Sequence, residues 1–416
     1  GVELTKSEAN MDNFITQMSN TKHFKWVMLG IKVLAENFLE TAPHGKPNKF
    51  DIGPVNTFIS QNFVDGLRLR ASGRTTAKLN PHWFGEGYYA YGFKSRKNYY
   101  GAKVTYSFNK PEYLPLEFPI RTISFESTFD VMPYSDRFLQ HNKDNIFMVL
   151  RPKKTEKMFF YNRQTLNFKW ETEAGLAMGI NLETESNEPT GGVLEYHKLC
   201  DGSLVNKIRM TELKIGLDYR PGQSYVNSKQ NRIEVNQNAP RFVLSHTFGL
   251  KHFLGGEYSY NLGAQWSKVP YPMLIMPPVN TSYFEHQGTF NMMEDMEFLN
   301  DRYAMFNLAW DMKGKIFNRI PLLKKLKWRE YIAFKGIWGH LTDKNNPLLA
   351  KNADDPDLYR FPSNTHVMNH EPYMELVVGV HNIFKCLEID YVRRLTYTAY
   401  PGVDVNGVRL GFNIVF

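Results

Sequence analysis

A period of two sets in near Gly66 and returns, run after run, to the end of the chain; it limits the fold more than any other feature. In the first run Leu67, Leu69, Ala71, Gly73 and Thr75 fall on one side, and Arg68, Arg70, Ser72 and Arg74 on the other. Successive side chains of a β-strand point to opposite faces, so this is a strand with one apolar and one charged face. The second run sets Trp83, Gly85, Gly87, Tyr89, Tyr91 and Phe93 against Glu86, Tyr88, Ala90 and Lys94. The third sets Tyr100, Ala102, Val104, Tyr106 and Phe108 against Lys103, Thr105, Ser107 and Asn109. A fourth, 123–131, opposes Phe125 and Phe129 to Glu126 and Asp130. Further runs follow at 160–172, 174–184, 207–219, 241–252, 304–312, 327–341, 373–383, 387–397 and 406–416.

A soluble antiparallel sheet alternates too, with its apolar face turned to a core. Three features point instead to strands that cross a bilayer. The runs are long, Tyr, Trp and Phe crown the apolar faces near the strand ends, and Arg and Glu crowd the opposite faces. Aromatics reach 14% of the chain, with 23 Tyr and 30 Phe, an excess that suits boundaries between apolar and wet surroundings. The expected fold is all-β: a closed antiparallel transmembrane β-barrel, apolar outward and polar within. The even-number rule for bacterial barrels turns thirteen runs into 14 or 16 strands. Polar, proline-bearing loops at 185–192, 221–240, 269–287 and 342–371 alternate with tight turns, as extracellular and periplasmic ends do.

Other classes fit poorly. No stretch reaches the roughly 18 apolar residues of a transmembrane helix; the best, 26–39, is broken by Lys32, Glu36 and Asn37. The N-terminus, polar from Glu3 to Asn13, does not read as a signal peptide. Phe14, Met18, Phe24, Met28, Ile31, Leu34 and Phe38 lie near helical spacing. Residues 1–50 are therefore expected to form a helical, periplasmic segment ahead of a barrel over 51–416. Cys200 and Cys386 give neither a disulfide framework nor a metal quartet. A net charge of +8 suits anionic lipid or lipopolysaccharide, and no basic–aromatic module argues for nucleic acid.

The last run is the sharpest local signal. Val408, Leu410, Phe412, Ile414 and Phe416 share one face, and the sequence stops on the aromatic. A terminal strand ending in Phe resembles the signal by which outer-membrane barrels are recognised for assembly, which implies the barrel-assembly machinery as a partner.

Three stretches carry a wider resemblance: 65–109 (DGLRLRASGRTTAKLNPHWFGEGYYAYGFKSRKNYYGAKVTYSFN), 266–283 (WSKVPYPMLIMPPVNTSY) and 290–347, which opens FNMMEDMEFLNDRYAMFNLAWD. They are similar to a Bacteroidota family of outer-membrane barrels of unknown function, whose members usually carry an N-terminal carboxypeptidase-regulatory-like domain. The family name implies no peptidase, since that added domain is non-catalytic. In the resembling family a further hairpin separates the segments matching 251–261 and 262–272. Here they abut: either the hairpin is lost in this chain or the chain is interrupted between them, and an interruption at Asn261–Leu262 is expected. More distantly, the order of the last strands is similar to that of barrel-assembly and two-partner-secretion insertases. Their Val/Ile-Arg-Gly-Phe/Tyr lumen motif is absent, so the likeness implies the barrel and not the insertase activity.

Candidate sites are few. Arg68, Arg70 and Arg74 should project inward beside Glu86, Glu126, Glu388 and Asp390 as a salt-bridged lumen network, or as the charged constriction of a channel. Lys324, Lys325 and Lys327 follow Leu322 and Leu323, a basic cluster beside an apolar wedge that suits anionic headgroups, a docked partner or a snorkelling rim. Asn352, Asp354, Asp355 and Asp357 bring hard oxygens together, without the glycine and late Glu of a calcium loop. His246 and His252 share a strand face about 20 Å apart, too far to hold one metal. No cofactor, metal or catalytic residue is nominated. A buried Ser or Asp hydrogen-bonded to His246, His252 or His381 in a substrate-sized cleft would overturn that expectation. The expected function is a non-enzymatic outer-membrane scaffold or assistant in envelope assembly or surface export, in contact with other envelope proteins. A passive or partner-gated channel is the alternative.

Overall fold

The computed structural model describes residues 36–43, 45–138, 150, 154–236, 239–257, 260–262, 267–286, 288–368 and 371–412. Their strands are β1 (Leu39–Glu40), β2 (Phe50–Ile52), β3 (Ile59–Asn62), β4 (Gly66–Thr75), β5 (Trp83–Gly92), β6 (Lys97–Ser107) and β7 (Arg121–Pro133). Next come β8 (Met158–Glu171), β9 (Leu176–Pro189), β10 (Ile208–Tyr219), β11 (Tyr225–Asn227), β12 (Arg232–Glu234), β13 (Phe242–Gly249) and β14 (Tyr260–Leu262). The last are β15 (Arg302–Asp311), β16 (Arg329–His340), β17 (Tyr373–Ile383), β18 (Leu387–Arg394) and β19 (Asn406–Phe412). Each run of alternation in the sequence corresponds to one of these strands. The short strands β1–β3, β11, β12 and β14 carry too few residues to display a period.

The strands form a 12-stranded antiparallel sheet in the order β1-β2-β4-β5-β6-β7-β8-β9-β10-β13-β14, with β3 also on β4, a five-stranded sheet β15–β19, and the small β11–β12 ribbon. The fold is all-β. Among the described residues no ladder joins β14 to β15 or β19 to β4. The outer edge of β19 is taken instead by chain from the middle of the sequence. Leu410 donates its N–H to the Tyr283 carbonyl, 2.8 Å, and accepts the N–H of Glu285, 2.7 Å. Phe284 lies parallel to Leu410 there.

Polarity is reversed relative to a soluble sheet. Leu69, Tyr89, Val104, Phe125, Ile180, Leu308, Val378 and Val408 are exposed. On the opposite faces of the same strands, or of strands paired with them, the charged Arg68, Asp130, Glu185, Lys335, Glu375, Asp390 and Arg409 are buried. A one-residue slip would exchange the faces, so pairing register and polarity are fixed together.

Loops pack into a buried core with the charged faces of the sheets. Residues 269–287 were expected to form a polar loop, but Val269, Tyr271, Leu274 and Met276 are buried, as are Phe290, Phe298 and Leu299 farther on. Proline and asparagine dominate the local pattern there and hide the apolar content, which no period organises. Tyr196 contacts Tyr271 and Tyr359, and its hydroxyl bonds that of Tyr134. These rings tie the loops after β7, β9 and β16 to the filling segment.

Three further expectations change. Among the described residues sheet structure begins at Leu39, ahead of the boundary placed at residue 50, because β1 pairs with β2; residues 1–35 of the helical expectation lie outside the described residues. The loop expected from 185 is strand as far as Pro189, where β9 still pairs with Phe159 of β8. Asn261 and Leu262 are consecutive in β14, opposite Phe248 and Thr247, so the chain is not interrupted there.

Candidate functional site

The charged face of the larger sheet is ordered by its register. Arg74 stands opposite Glu86, Glu86 opposite Lys103, and Lys103 opposite Glu126. The row continues through Thr165 to Glu183. Opposite charges on directly facing residues attract, so the row supports the register that creates it. Arg74 also reaches Asp51 at 3.5 Å and bonds Gln230. Arg70 stacks on the Tyr88 ring, 3.8 Å from its centroid.

Arg68 takes other partners than the expected Glu86 and Glu126. Its guanidinium grips Asp130 with bonds of 2.8 and 2.9 Å and reaches Asp65 at 3.3 Å. Tyr88 donates to Asp130 and Tyr99 to Asp65, both at 2.5 Å. A buried guanidinium needs such a set, since an uncompensated charge in low dielectric is costly. The pairing partners were missed because they lie 62 residues away on β7 and in the turn before β4.

The five-stranded sheet holds the filling segment by its charges. Arg394 of β18 makes a two-pronged pair with Glu297, at 2.6 and 3.0 Å, both side chains buried. Glu375 of β17 accepts the main-chain N–H groups of Asn291 and Met292, at 2.9 and 2.6 Å, and the Tyr373 hydroxyl at 2.7 Å. Lys335 of β16 donates to Glu285 and to the Thr289 carbonyl, each at 3.1 Å. Arg409 of β19 donates to the Asn291 carbonyl. Four adjacent strands thus grip residues 285–297. The strand residues sit at inward positions that alternation could have found. Glu297 and Asn291 could not be found that way, because they lie in aperiodic chain.

Val408, Leu410 and Phe412 lie on the face of β19 opposite the buried Arg409 and Gly411, with Val408 49% and Phe412 64% exposed. Ile414 and Phe416 lie outside the described residues. Leu322 of the short helix Pro321–Leu326 is 78% exposed, beside Lys324 and Lys325, while Leu323 is half-buried. The Lys327 carbonyl accepts from Asn382, 2.7 Å, which brings this helix to the β17–β18 turn. Among the described residues no group of three or more His, Cys, Asp or Glu is placed to hold a metal. Asp355 pairs with Lys268 and caps the Asp357 N–H. His246 packs against Phe248.

His381 does meet a buried carboxylate. Its Nε2 lies 2.9 Å from Asp390, and Glu388 is 3.6 Å from Nδ1. The pair lines a cleft of about 440 Å³ with Glu285, Asp311, Arg329 and Tyr331. This is the arrangement that was to overturn the expectation of no catalytic constellation. A carboxylate-oriented imidazole is half of a general-base device, yet among the described residues no Ser, Thr or Cys lines the cleft.

The C-terminal-domain model of a family of unknown function, DUF5686, matches residues 40–265, more than half of the chain. The chain belongs to that family. The DUF5686 match takes in 65–109 of the stretches quoted above and stops before the filling segment and β15–β19. No curated protein matches the chain in sequence. Among solved structures, the chain is similar to BamA from Haemophilus ducreyi lacking POTRA domains 1–3, with a TM-score of 0.37 and 8% identity over 92% of this chain and 77% of that one. It is also similar to Acinetobacter baumannii OccAB1, with a TM-score of 0.28 and 9% identity over 87% and 75%.

Proposed function

We propose that this DUF5686 chain is an integral outer-membrane β-barrel, non-enzymatic, that acts as a scaffold or assistant in envelope assembly or surface export. The observation that carries the reading is the reversed polarity of both sheets. Exposed apolar strands are costly in water, and an Arg on the lipid face at mid-membrane would cost about 2–4 kcal/mol. With the apolar face to lipid and the ion pairs inside, both penalties vanish. Trp83, Trp310, Trp338 and Tyr303, exposed near strand ends, supply the interfacial aromatics such a barrel needs. In lipid every backbone group must be paired within the protein, which favours closure of the two sheets into one barrel of 14 or 16 strands. Lipid, lipopolysaccharide, the barrel-assembly machinery and other envelope proteins are the partners this reading calls for.

The occupied interior supports a scaffold over an open pore. The same latches suit the second reading, a channel that a partner opens by drawing out the filling segment. Cell fractionation with heat-dependent gel mobility tests the membrane reading: recovery in a soluble fraction sinks it. Planar-bilayer recordings separate the two roles. A scaffold stays silent in purified form, whereas steady unitary conductance from the wild-type chain would favour the channel.

A further inference from the structure

A cleft of about 400 Å³ runs along the outer edge of β19, where the filling segment covers Leu410. It is lined from both faces of the sheet, by the exposed Val408 and the buried Arg409. Arg409 is only 4% exposed. Its guanidinium donates to the main-chain carbonyls of Val408 and Asn291, and among the described residues no carboxylate lies within ion-pair distance of it. Its Nε is buried without a hydrogen-bond partner. Asn291 repeats the pattern. Asn280 donates to its Oδ1 at 2.8 Å, which orients the amide and leaves the buried Nδ2 without an acceptor. Two buried donors, one of them cationic, thus line one cavity without acceptors. Buried polar groups are rarely left so, because each costs the free energy of a lost hydrogen bond.

The remaining lining sharpens the chemistry. Lys154 and Lys157 line the cleft together with four acidic residues, Glu156, Glu294, Asp295 and Asp404. Lys157 is already engaged with the Asp295 carbonyl at 3.3 Å. Apart from Arg409 the lining is therefore acidic in balance, which disfavours a purely anionic ligand and suits one that also carries a cation. Val408, on the outer face of β19, and Tyr283 are 49% and 44% exposed, so the cleft opens beside the apolar outer face. We propose that this cleft binds a zwitterionic phospholipid with a phosphate and a primary amine in its head. Phosphate oxygens accept from Arg409 and Asn291, the amine meets the carboxylate-rich rim, and the chains leave along Tyr283 and Val408. The assignment rests on the membrane reading above.

The test uses the full chain reconstituted in nanodiscs containing equal parts phosphatidylethanolamine, phosphatidylglycerol and phosphatidylcholine, followed by native mass spectrometry of the released protein. Phosphatidylethanolamine should be retained in preference to the other two. Asn291→Asp keeps the acceptor for Asn280 but removes the donor, and should lower that retention about tenfold, the effect of losing one good hydrogen bond. Arg409→Lys, which keeps the charge and removes Nε, should lower it as well, and heat-dependent gel mobility shows whether each variant is folded. Millimolar phosphoethanolamine that displaces the lipid would show that the head group alone is recognised; inability to displace it shows that the chains contribute. Equal retention of the three lipids, or retention indifferent to both folded variants, overturns the proposal and leaves a merely hydrated cleft. A chain that does not enter nanodiscs overturns the membrane reading and this assignment with it.

Discussion

Arg394 and Glu297, 97 residues apart, meet through two hydrogen bonds in a buried pair that fastens β18 to the segment filling the interior. Removing one partner of such a pair leaves an unpaired buried charge, which typically costs about 3–5 kcal/mol. Arg394→Ala should therefore free the filling segment before it unfolds the sheet. In planar bilayers the variant should show flickering conductance that the wild type lacks. The double change Arg394→Met with Glu297→Leu, which removes both charges, should be far milder. Silence from the single variant in a folded state would show that the other latches suffice.

The outer face can be tested at one position. Phe125 is half-exposed on β7, and Glu126 beside it faces Lys103 on the other side of the sheet. Phe125→Arg should destabilise the reconstituted protein by about 2–4 kcal/mol, read from urea unfolding in vesicles. Glu126→Gln should cost much less. Equal costs would mean that Phe125 does not face lipid.

Asp130 is expected to be the least replaceable carboxylate of the larger sheet, because it holds Arg68 by two bonds and also accepts from Tyr88. Asp130→Ala should cost about 3–5 kcal/mol and slow folding into vesicles. Thermal unfolding at the wild-type temperature would contradict this.

The His381–Asp390 pair gives catalysis its best chance in this chain, so it is the place to look. Purified protein in phospholipid vesicles should release no fatty acid and cleave no peptide, and His381→Ala should change nothing. Hydrolysis that disappears in His381→Ala would overturn the non-enzymatic reading.

A pH effect is expected in the loop after β9. The His197 ring bonds Glu195 at 2.8 Å and the Gly202 carbonyl at 3.1 Å. The Glu195 contact, then the Gly202 carbonyl, raises the imidazole above its ordinary value of 6.5. The same contact, with the Gly192 N–H, lowers Glu195 below 4.5. A raised histidine stabilises fully below its unfolded value and loses that contribution as pH climbs through the raised one. A depressed carboxylate contributes above its unfolded value and loses it as pH falls through the depressed one. The pair is thus strongest between about 4.5 and 6.5. NMR titration of His197 should give a midpoint above 6.5, and Glu195→Gln should return it towards that value. An unshifted midpoint in the wild type would rule the pair out in solution.

The strands were legible because alternation is a local property. Leu67 to Thr75 declare their two faces without reference to any other part of the chain, and β4 carries them on those faces. The row Arg74–Glu86–Lys103–Glu126 was half legible: its members were named as inward, but their order needed the register. The interior was not legible. Met276, Asn291 and Glu297 lie in chain with no period, where burial depends on what surrounds the segment rather than on its own pattern.

By itself, then, the sequence determined where the long strands run and which face of each is apolar, because side-chain direction in an extended chain follows from position alone. Only the tertiary structure decided that Arg68 meets Asp130, that Arg394 meets Glu297, and that Tyr283 to Glu285 lie along Leu410 at the edge of β19. These are contacts between distant segments. Their partners are selected by burial, where a charge must find its complement or be lost from the fold.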